Sequence, residues 1–297
     1  MKIAVVILNY NGLENTLECL ESIKKCERLS HKIEIIVVDN ASQDGSQEAL
    51  SNLKDIYLVQ NADNLGYSGG NNVGIKKALG RNAQAILILN NDTLAEKSLI
   101  INLAQALKSA DIASPKIYFA KGFEFHKKRY KEDELGRVIW YAGGRIDWDN
   151  IIGQHIGVDE VDTGQFAKSA EIDLATGAAI CVKREVFEKI GVFDEKYFLY
   201  LEDMDFCVRA KNAGFRIIFE PEAIVWHKNA SSSGGSGSLL QDYFITRNRL
   251  LFAFKYASFK TKFAVFRQVL GQIKSPIKRK AFFDFFTFNF GKGNYIK

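Results

Sequence analysis

The chain has 297 residues, of which 47% are hydrophobic and 25% charged, and a net charge of +5. This composition supports one large α/β domain with an appendage and excludes a disordered or collagen-like chain. The four cysteines form no C-x-x-C pair, so they read as reduced thiols of a cytosolic protein. The apolar run after Met1-Lys2 stops at Asn9, too short for a signal peptide, and no run reaches membrane-spanning length.

Residues 3–8 form a continuous β-branched run, the pattern of a strand buried on both faces. Leu13, Leu17, Leu20 and Ile23 follow at helical spacing. Strands are predicted at 35–38, ending at Asp39, and at 56–59. A helix is predicted over 68–79, a strand over 85–89 and a helix over 99–107. Alternating strands and helices imply a parallel sheet, whose ligands bind beyond the carboxyl ends of the strands. The polar residues just past each strand therefore matter most. The middle, 116–171, is less regular and reads as loops and short strands. Regular signals return at 178–182 (strand), 183–190 (helix), 202–213 (helix) and 216–219 (strand). A Gly/Ser stretch at 231–238 reads as a mobile loop, and long helices follow.

Asn9, Asn11, Asp39, Asn64, Asn90 and Asn91 all fall at such strand ends. Asp39 could accept from a base or a ribose hydroxyl. The turn Asn64-Leu-Gly-Tyr-Ser-Gly-Gly-Asn-Asn72, with Gly69 inside it, runs into a helix whose free amides would suit a phosphate. Read singly, each of these residues is equally suited to turns and caps. Asp92 stands just past the strand 85–89, where a carboxylate can hold Mn2+ or Mg2+ against a diphosphate. His227 follows another strand-like run and is either a second metal donor or a structural histidine. Glu202 and Asp203 open a helix, where the helix dipole would keep them ionised. Either a general base or simple capping fits that placement. Asp205 and Arg209 are spaced as an i,i+4 ion pair.

Taken together, several segments resemble the family 2 glycosyltransferases, and within them rhamnosyltransferase-type enzymes of bacterial surface polysaccharide synthesis. They are Val5-Val-Ile-Leu-Asn-Tyr-Asn-Gly12, Val37-Val-Asp-Asn-Ala-Ser-Gln-Asp-Gly-Ser46, the glycine turn, Leu89-Asn-Asn-Asp-Thr93, Thr176-Gly-Ala-Ala179, Phe193-Asp-Glu195, Glu202-Asp-Met-Asp205 and Trp226-His227. The resemblance implies a GT-A, Rossmann-like fold: a mostly parallel sheet flanked by helices. It implies a transferase domain over 1–238, split near 115 into nucleotide-binding and acceptor halves, and a C-terminal helical extension over 239–297. It implies inverting transfer from a dTDP- or UDP-linked sugar, rhamnose favoured, to a glycan or polyprenyl-linked acceptor. By the same resemblance Asp39 binds the nucleoside and Asn90-Asn91-Asp92 replaces the usual D-x-D. Asp92 and His227 hold Mn2+ or Mg2+, Asp203 is the base, Glu202 orients the sugar, and Thr176, Gly177 and Ala178 line the donor or acceptor sugar. With one acid where two are usual, weaker metal binding or a catalytically silent nucleotide-sugar-binding protein is the alternative.

From Leu251 onward there are ten Lys/Arg against one acid, Asp284. Phe259, Phe263, Phe266, Leu270 and Ile273 share one helical face beside Lys260, Lys262, Arg267 and Lys274. Such a helix suits an anionic membrane surface, which would place the protein on the cytoplasmic face of the cell membrane. Packing on the core or on a second subunit, as in a homodimer, suits it equally. No nucleic-acid-reading motif accompanies the basic tail. Arg247 and Arg249 could meet a diphosphate or form helix-surface salt bridges.

Overall fold

The computed structural model describes residues 1–229 and 238–295. The Gly/Ser loop expected at 231–238 therefore lies, apart from Ser238, outside the described residues. The chain begins as alternating β/α units: β1 (Lys2–Asn9), α1 (Leu13–Lys24), β2 (Lys32–Asp39), α2 (Ser46–Ser51), β3 (Tyr57–Gln60), α3 (Gly66–Gly80) and β4 (Ala85–Asn90). These four strands pair in parallel in the order β4-β1-β2-β3. Ile3 to Ile7 of β1 are all buried, which is why the run shows no polar alternation. The order reverses between β1 and β4, so the crevice of the sheet opens past Asn9 and Asn90.

Next come β5 (Thr93–Ala95), α4 (Leu99–Ala106), β6 (Ile112–Phe119), β7 (Ile139–Tyr141), β8 (Gly144–Asp147), β9 (Ile152–His155), β10 (Ala170–Glu171), β11 (Ala179–Lys183), α5 (Arg184–Ile190), α6 (Glu202–Asn212) and β12 (Ile217–His227). The sheet extends as β10-β12-β6-β11-β4, with β11 antiparallel to both neighbours and β6 parallel to β12.

Two central strands were only partly legible because each contains a proline: β6 was not predicted, and β12 was read as two pieces, 216–219 and a run before His227. Pro115 lies in β6 beyond the stretch paired to β11 (Ile112, Ala113) and before the stretch paired to β7 (Ile117, Tyr118). Its missing N–H thus falls between two partners, where no ladder bond is lost. Pro221 sits in the register shift of β12 between Glu220 and Ile224. The bulge lets that strand run on to His227 rather than end at Phe219 as expected.

The chain closes with α7 (Leu239–Tyr256), α8 (Phe259–Gly271) and α9 (Pro276–Phe286). Leu250, Phe252, Ala253, Val265, Val269 and Phe285 belong to the same apolar core as the sheet. The face expected from Phe259 to Ile273 is not the one that packs. Thr261, Val265 and Val269 are buried, whereas Phe259, Phe263 and Leu270 are exposed. Among the described residues no helix is long and apolar enough to cross a membrane. The four cysteines are free and buried.

Candidate active site

One edge of the sheet gathers nearly every residue singled out above. β1, β2 and β4 deliver Asn9, Asp39 and Asn90 at their carboxyl ends. β12 delivers His227, and the antiparallel β11 starts at the same edge, just after Thr176-Gly177-Ala178.

At its nucleotide end the edge is a closed polar network. Asp39 is fully buried. Its carboxylate accepts from Asn9 Nδ2 (2.7 Å), the Ser42 amide (3.0 Å) and Gln47 Nε2 (2.9 Å). Asn9 Oδ1 accepts from Thr16 Oγ1 (2.7 Å), and Asn91 Nδ2 donates to that same hydroxyl at 2.9 Å. Asn11, in a left-handed conformation (φ 49), accepts from the Gln43 amide and donates its own amide to Ser42 Oγ. These bonds tie the loops after β1, β2 and β4 into one rigid rim.

The glycine turn departs from expectation. Its amides are not free: Leu65 N donates to Asn40 Oδ1 (3.1 Å), Gly66 N to Asn64 Oδ1 (2.8 Å) and Ser68 N to the Phe198 carbonyl (3.1 Å). Its glycines serve packing instead. A Cβ on Gly69 would stand 2.8 Å from Leu65 Cβ, one on Gly70 2.4 Å from Leu8 Cδ1, and one on Gly74 2.3 Å from Val6 Cγ1. Helix α3 thus lies closer to β1 than side chains would allow. These three amides are therefore taken by protein acceptors and do not contribute to a phosphate cradle.

Asp92 and His227 meet because β5 pairs antiparallel with β12, opposing Thr93 to His227, and because Lys228 N donates to the Asp92 carbonyl at 2.9 Å. Both side chains are buried, with Asp92 Oδ1 3.0 Å from His227 Nε2. The imidazole packs edge-on against Trp140, ring centroids 4.6 Å apart, and its Nδ1 is buried without a partner among the described residues. Trp140 also contacts His155 at 4.5 Å, and burial pushes that imidazole down to about 4, so it stays neutral. An octahedral Mg2+ or Mn2+ with bonds of about 2.1 Å has neighbouring ligand atoms about 3 Å apart. One hard oxygen and one imidazole nitrogen at that spacing fit such an ion. Among the described residues no group of three or more His, Cys, Asp or Glu is gathered, so phosphate oxygens and water would complete its shell.

Across the edge, α6 opens with Glu202 and Asp203. Asp203 Oδ2 accepts from the Gly177 amide (2.9 Å) and Oδ1 from the Met204 amide (2.8 Å). The Ala178 carbonyl in turn accepts from Asn90 N at 2.9 Å, so the Thr176–Ala178 segment bridges the metal-side strand and Asp203. Tyr67 closes the link by donating to the Gly177 carbonyl. The helix dipole does not keep these acids at ordinary pKa values. Burial raises the Asp203 carboxyl despite its two amide donors. Burial, then the Asp203 and Asp205 charges, raises Glu202 well above its ordinary value, and Glu202 Oε2 is buried with no partner among the described residues. Desolvation outweighs a dipole worth at most about 2 kcal/mol. Asp205 is the structural member of the cluster, as its spacing suggested. It accepts from Arg209 Nε (2.7 Å), Lys255 Nζ (2.6 Å) and Tyr256 Oη (2.7 Å).

The residues ahead of Glu202 form a strained turn. Phe198, Tyr200 and Leu201 all have positive φ (63, 69 and 68°). Helix α7 holds that turn. Asn248 Nδ2 donates to the carbonyls of Tyr197 (2.9 Å), Leu199 (2.8 Å) and Tyr200 (2.8 Å). Arg247 Nη2 donates to the Lys196 (3.1 Å) and Tyr197 (3.0 Å) carbonyls and to Asn248 Oδ1 (2.9 Å). Both side chains are fully buried. Arg247 therefore meets neither a diphosphate nor a carboxylate, and Arg249 binds the Asn150 carbonyl and Gln268 Oε1. This bracket was not foreseen from the sequence. Its available signal was a Thr-Arg-Asn triplet in the middle of an apolar helix.

The sheet order, the polar rim at its crevice and the paired Asp92–His227 and Glu202–Asp203 define a GT-A glycosyltransferase fold. The chain belongs to glycosyl transferase family 2, whose profile matches residues 4–191. It is 29% identical over 252 residues to the low-salt glycan biosynthesis hexosyltransferase Agl10 of Haloferax volcanii, covering 84% of this chain and 74% of that protein. It is 25% identical to the dTDP-rhamnosyl transferase RfbF of Shigella flexneri, over 76% of this chain and 68% of that one. To the N-acetylglucosaminyl-diphospho-decaprenol L-rhamnosyltransferase of Mycobacterium tuberculosis it is 24% identical, over 68% of each. Among solved structures, GalNAc-T7 with UDP, GalNAc and Mn2+ superimposes with a TM-score of 0.64 at 16% identity. That match covers 84% of this chain, which spans about half (51%) of that one.

Proposed function

We propose that this chain is an inverting, divalent-metal-dependent glycosyltransferase of bacterial surface polysaccharide synthesis. It passes a sugar, rhamnose before others, from a dTDP- or UDP-sugar to a glycan or polyprenyl-linked acceptor. The names of the relatives support donor and acceptor. Residues 1–238 would carry the transfer, with 239–297 as a helical extension.

The observation that carries this reading is the Gly177 bridge, which sets a carboxylate of raised pKa across the crevice from the Asp92–His227 pair. Asp203, oriented by two amides, takes the proton of the acceptor hydroxyl while that oxygen bonds to the anomeric carbon. The bond to the diphosphate breaks on the opposite face, its electron pair leaves with the diphosphate, and the configuration inverts. A base with a raised pKa is the stronger proton acceptor. Glu202, its carboxyl raised by burial and one oxygen unpartnered among the described residues, orients a sugar hydroxyl beside the Thr176–Ala178 segment. Asp92 and His227 hold the ion, which when bound neutralises charge on the departing diphosphate. Asn9, Asn11, Asp39, Asn64, Gly69, Asn90 and Asn91 shape the nucleotide rim.

Asn90, which stands where the first acid of the usual D-x-D would be, favours a second reading: a silent nucleotide-sugar-binding protein. The test is release of nucleoside diphosphate across a panel of nucleotide-sugars and acceptors with Mn2+. Turnover of one donor, lowered about 10²–10⁴-fold in Asp203→Asn and abolished in Asp92→Ala, is the expected result. Nucleotide binding without turnover for any donor would establish the silent binder.

A further inference from the structure

Helices α8 and α9 form a packed pair whose outer surface is out of character for a soluble protein. Phe259 is 85% exposed, Phe288 81%, Phe283 56% and Phe263 55%. Single exposed apolar residues are ordinary, but a contiguous patch of large rings marks an interaction site. The rings are contiguous. Phe259, Phe263, Phe266 and Leu270 follow one another along one face of α8. Phe266 contacts Phe282 (5.9 Å) and Phe286 (6.0 Å) of α9, and Phe282 contacts Phe283 (5.8 Å). These exposed rings are not needed to close the core, since α8 is anchored by the buried Thr261, Val265 and Val269 and α9 by Ala281 and Phe285.

The charge around the patch has one sign. Lys260, Arg267, Lys274, Arg279 and Lys292 are exposed, and Arg267 lies 5.9 Å from the Phe263 ring. Between Ser258 and Tyr295 the sequence contains a single acid, Asp284. That acid is buried and consumed by Tyr243, Asn289 and Asn294. The exposed face of this segment therefore presents cations and aromatic rings with no anion among them. Aromatic rings partition to the level of lipid headgroups, and cations are drawn to anionic lipids.

We infer that the outer face of α8 and α9 docks the folded protein on an anionic lipid bilayer, with Phe259, Phe263, Phe283, Phe286 and Phe288 inserted at headgroup level and Lys260, Arg267, Lys274 and Arg279 against lipid phosphates. The segment also adjoins the candidate site. Arg247 donates to the Gly291 carbonyl (2.8 Å), and Gly291 N donates to the Lys196 carbonyl (2.9 Å), at the foot of the turn that leads to Glu202. A docked enzyme would meet a membrane-embedded acceptor beside its base; that consequence rests on the transferase reading, whereas the docking itself does not.

The experiment is co-sedimentation of the full chain with vesicles of phosphatidylcholine alone and of phosphatidylcholine with phosphatidylglycerol. It compares wild type, Phe259→Ser with Phe263→Ser, and Lys260→Glu with Arg267→Glu. Sedimentation velocity and donor turnover with a water-soluble acceptor are run alongside. Wild type is expected to pellet with the anionic vesicles in a salt-sensitive way and not with the neutral ones. Both variants should bind at least about tenfold more weakly while keeping their fold and turnover. Absent wild-type binding, or equal binding by the variants, overturns the inference. Loss of a dimer in the Phe variant without vesicle binding overturns it in favour of a second copy on this face. Absence of turnover in every form bears on the transferase reading alone and leaves the vesicle result to stand.

Discussion

Replacing Asn248 with alanine tests the view that α7 positions the catalytic carboxylates. The side chain is fully buried and satisfies three carbonyls of the turn at 197–200 while accepting from Arg247. Its loss removes the bonds to the Leu199 and Tyr200 carbonyls and the Oδ1 acceptor of the buried Arg247, whereas the Tyr197 carbonyl keeps its bond from Arg247. Two lost hydrogen bonds contribute about 0.5–1.5 kcal/mol each, and a buried guanidinium left without its acceptor costs about 1–3 kcal/mol, so a destabilisation of about 2–6 kcal/mol is expected. The turn also carries three left-handed non-glycine residues, each strained by about 1–3 kcal/mol. Freed of its bracket it should relax and carry Glu202 and Asp203 with it. A displacement near 1 Å costs about 100-fold in rate. The assay pairs denaturant unfolding with kcat for donor turnover, measured well below the melting temperature. Arg247→Lys, which keeps a donor, should fall between wild type and the alanine variant. A variant destabilised as expected but with unchanged kcat would refute the positioning role and leave Asn248 a stability residue only.

Gly74→Ala should destabilise by about 1–3 kcal/mol through overpacking, because the added methyl would lie 2.3 Å from Val6 Cγ1; a thermal melt indistinguishable from wild type would contradict the close approach of α3. The acid limb of kcat/KM should lie above the ordinary carboxylate range. Asp203 is raised in the folded enzyme, so activity is lost as pH falls through that raised value, and the limb should vanish with the residual activity of Asp203→Asn. Burial of a neutral His155, held at about 4, adds a stability term that is present above the unfolded histidine value near 6.5 and lost as pH falls from there towards 4. Its replacement by Phe should flatten the stability profile in that window. Calorimetric titration of Mn2+ should show weak binding to the bare protein and tighter binding with nucleoside diphosphate, since the proposed site draws two ligands, Asp92 and His227, from the protein; tight binding without nucleotide would refute that ligand set.

What the sequence disclosed depended on how local each signal was. β1, β2 and β4 were legible because a strand buried on both faces needs an unbroken apolar run, and short crossovers place such strands side by side. β6 and β12 were obscured by Pro115 and Pro221, whose tolerance depends on where neighbouring strands stop pairing. The glycine turn was placed correctly but misread. Phosphate binding and close helix packing call for the same small residues, and only the positions of Leu8 and Val6 separate them. The ionisation of Glu202 was misjudged because burial is a property of the tertiary structure. The Asn248 bracket joins positions about fifty apart, so the polar triplet at 246–248 marks buried polar groups but not the turn they hold.

The pairing of β5 with β12 has a consequence for the order in which the protein comes into being. Asp92 and His227 are separated by 135 positions, whereas the strands that build the nucleotide rim are joined through short local crossovers. During synthesis the rim can close while the rest of the chain is still being made. The metal pair cannot exist until residue 227 has emerged and β12 has found β6 across a long loop. A prematurely ended chain thus keeps the polar rim but lacks the Asp92–His227 pair on which the proposed transfer depends.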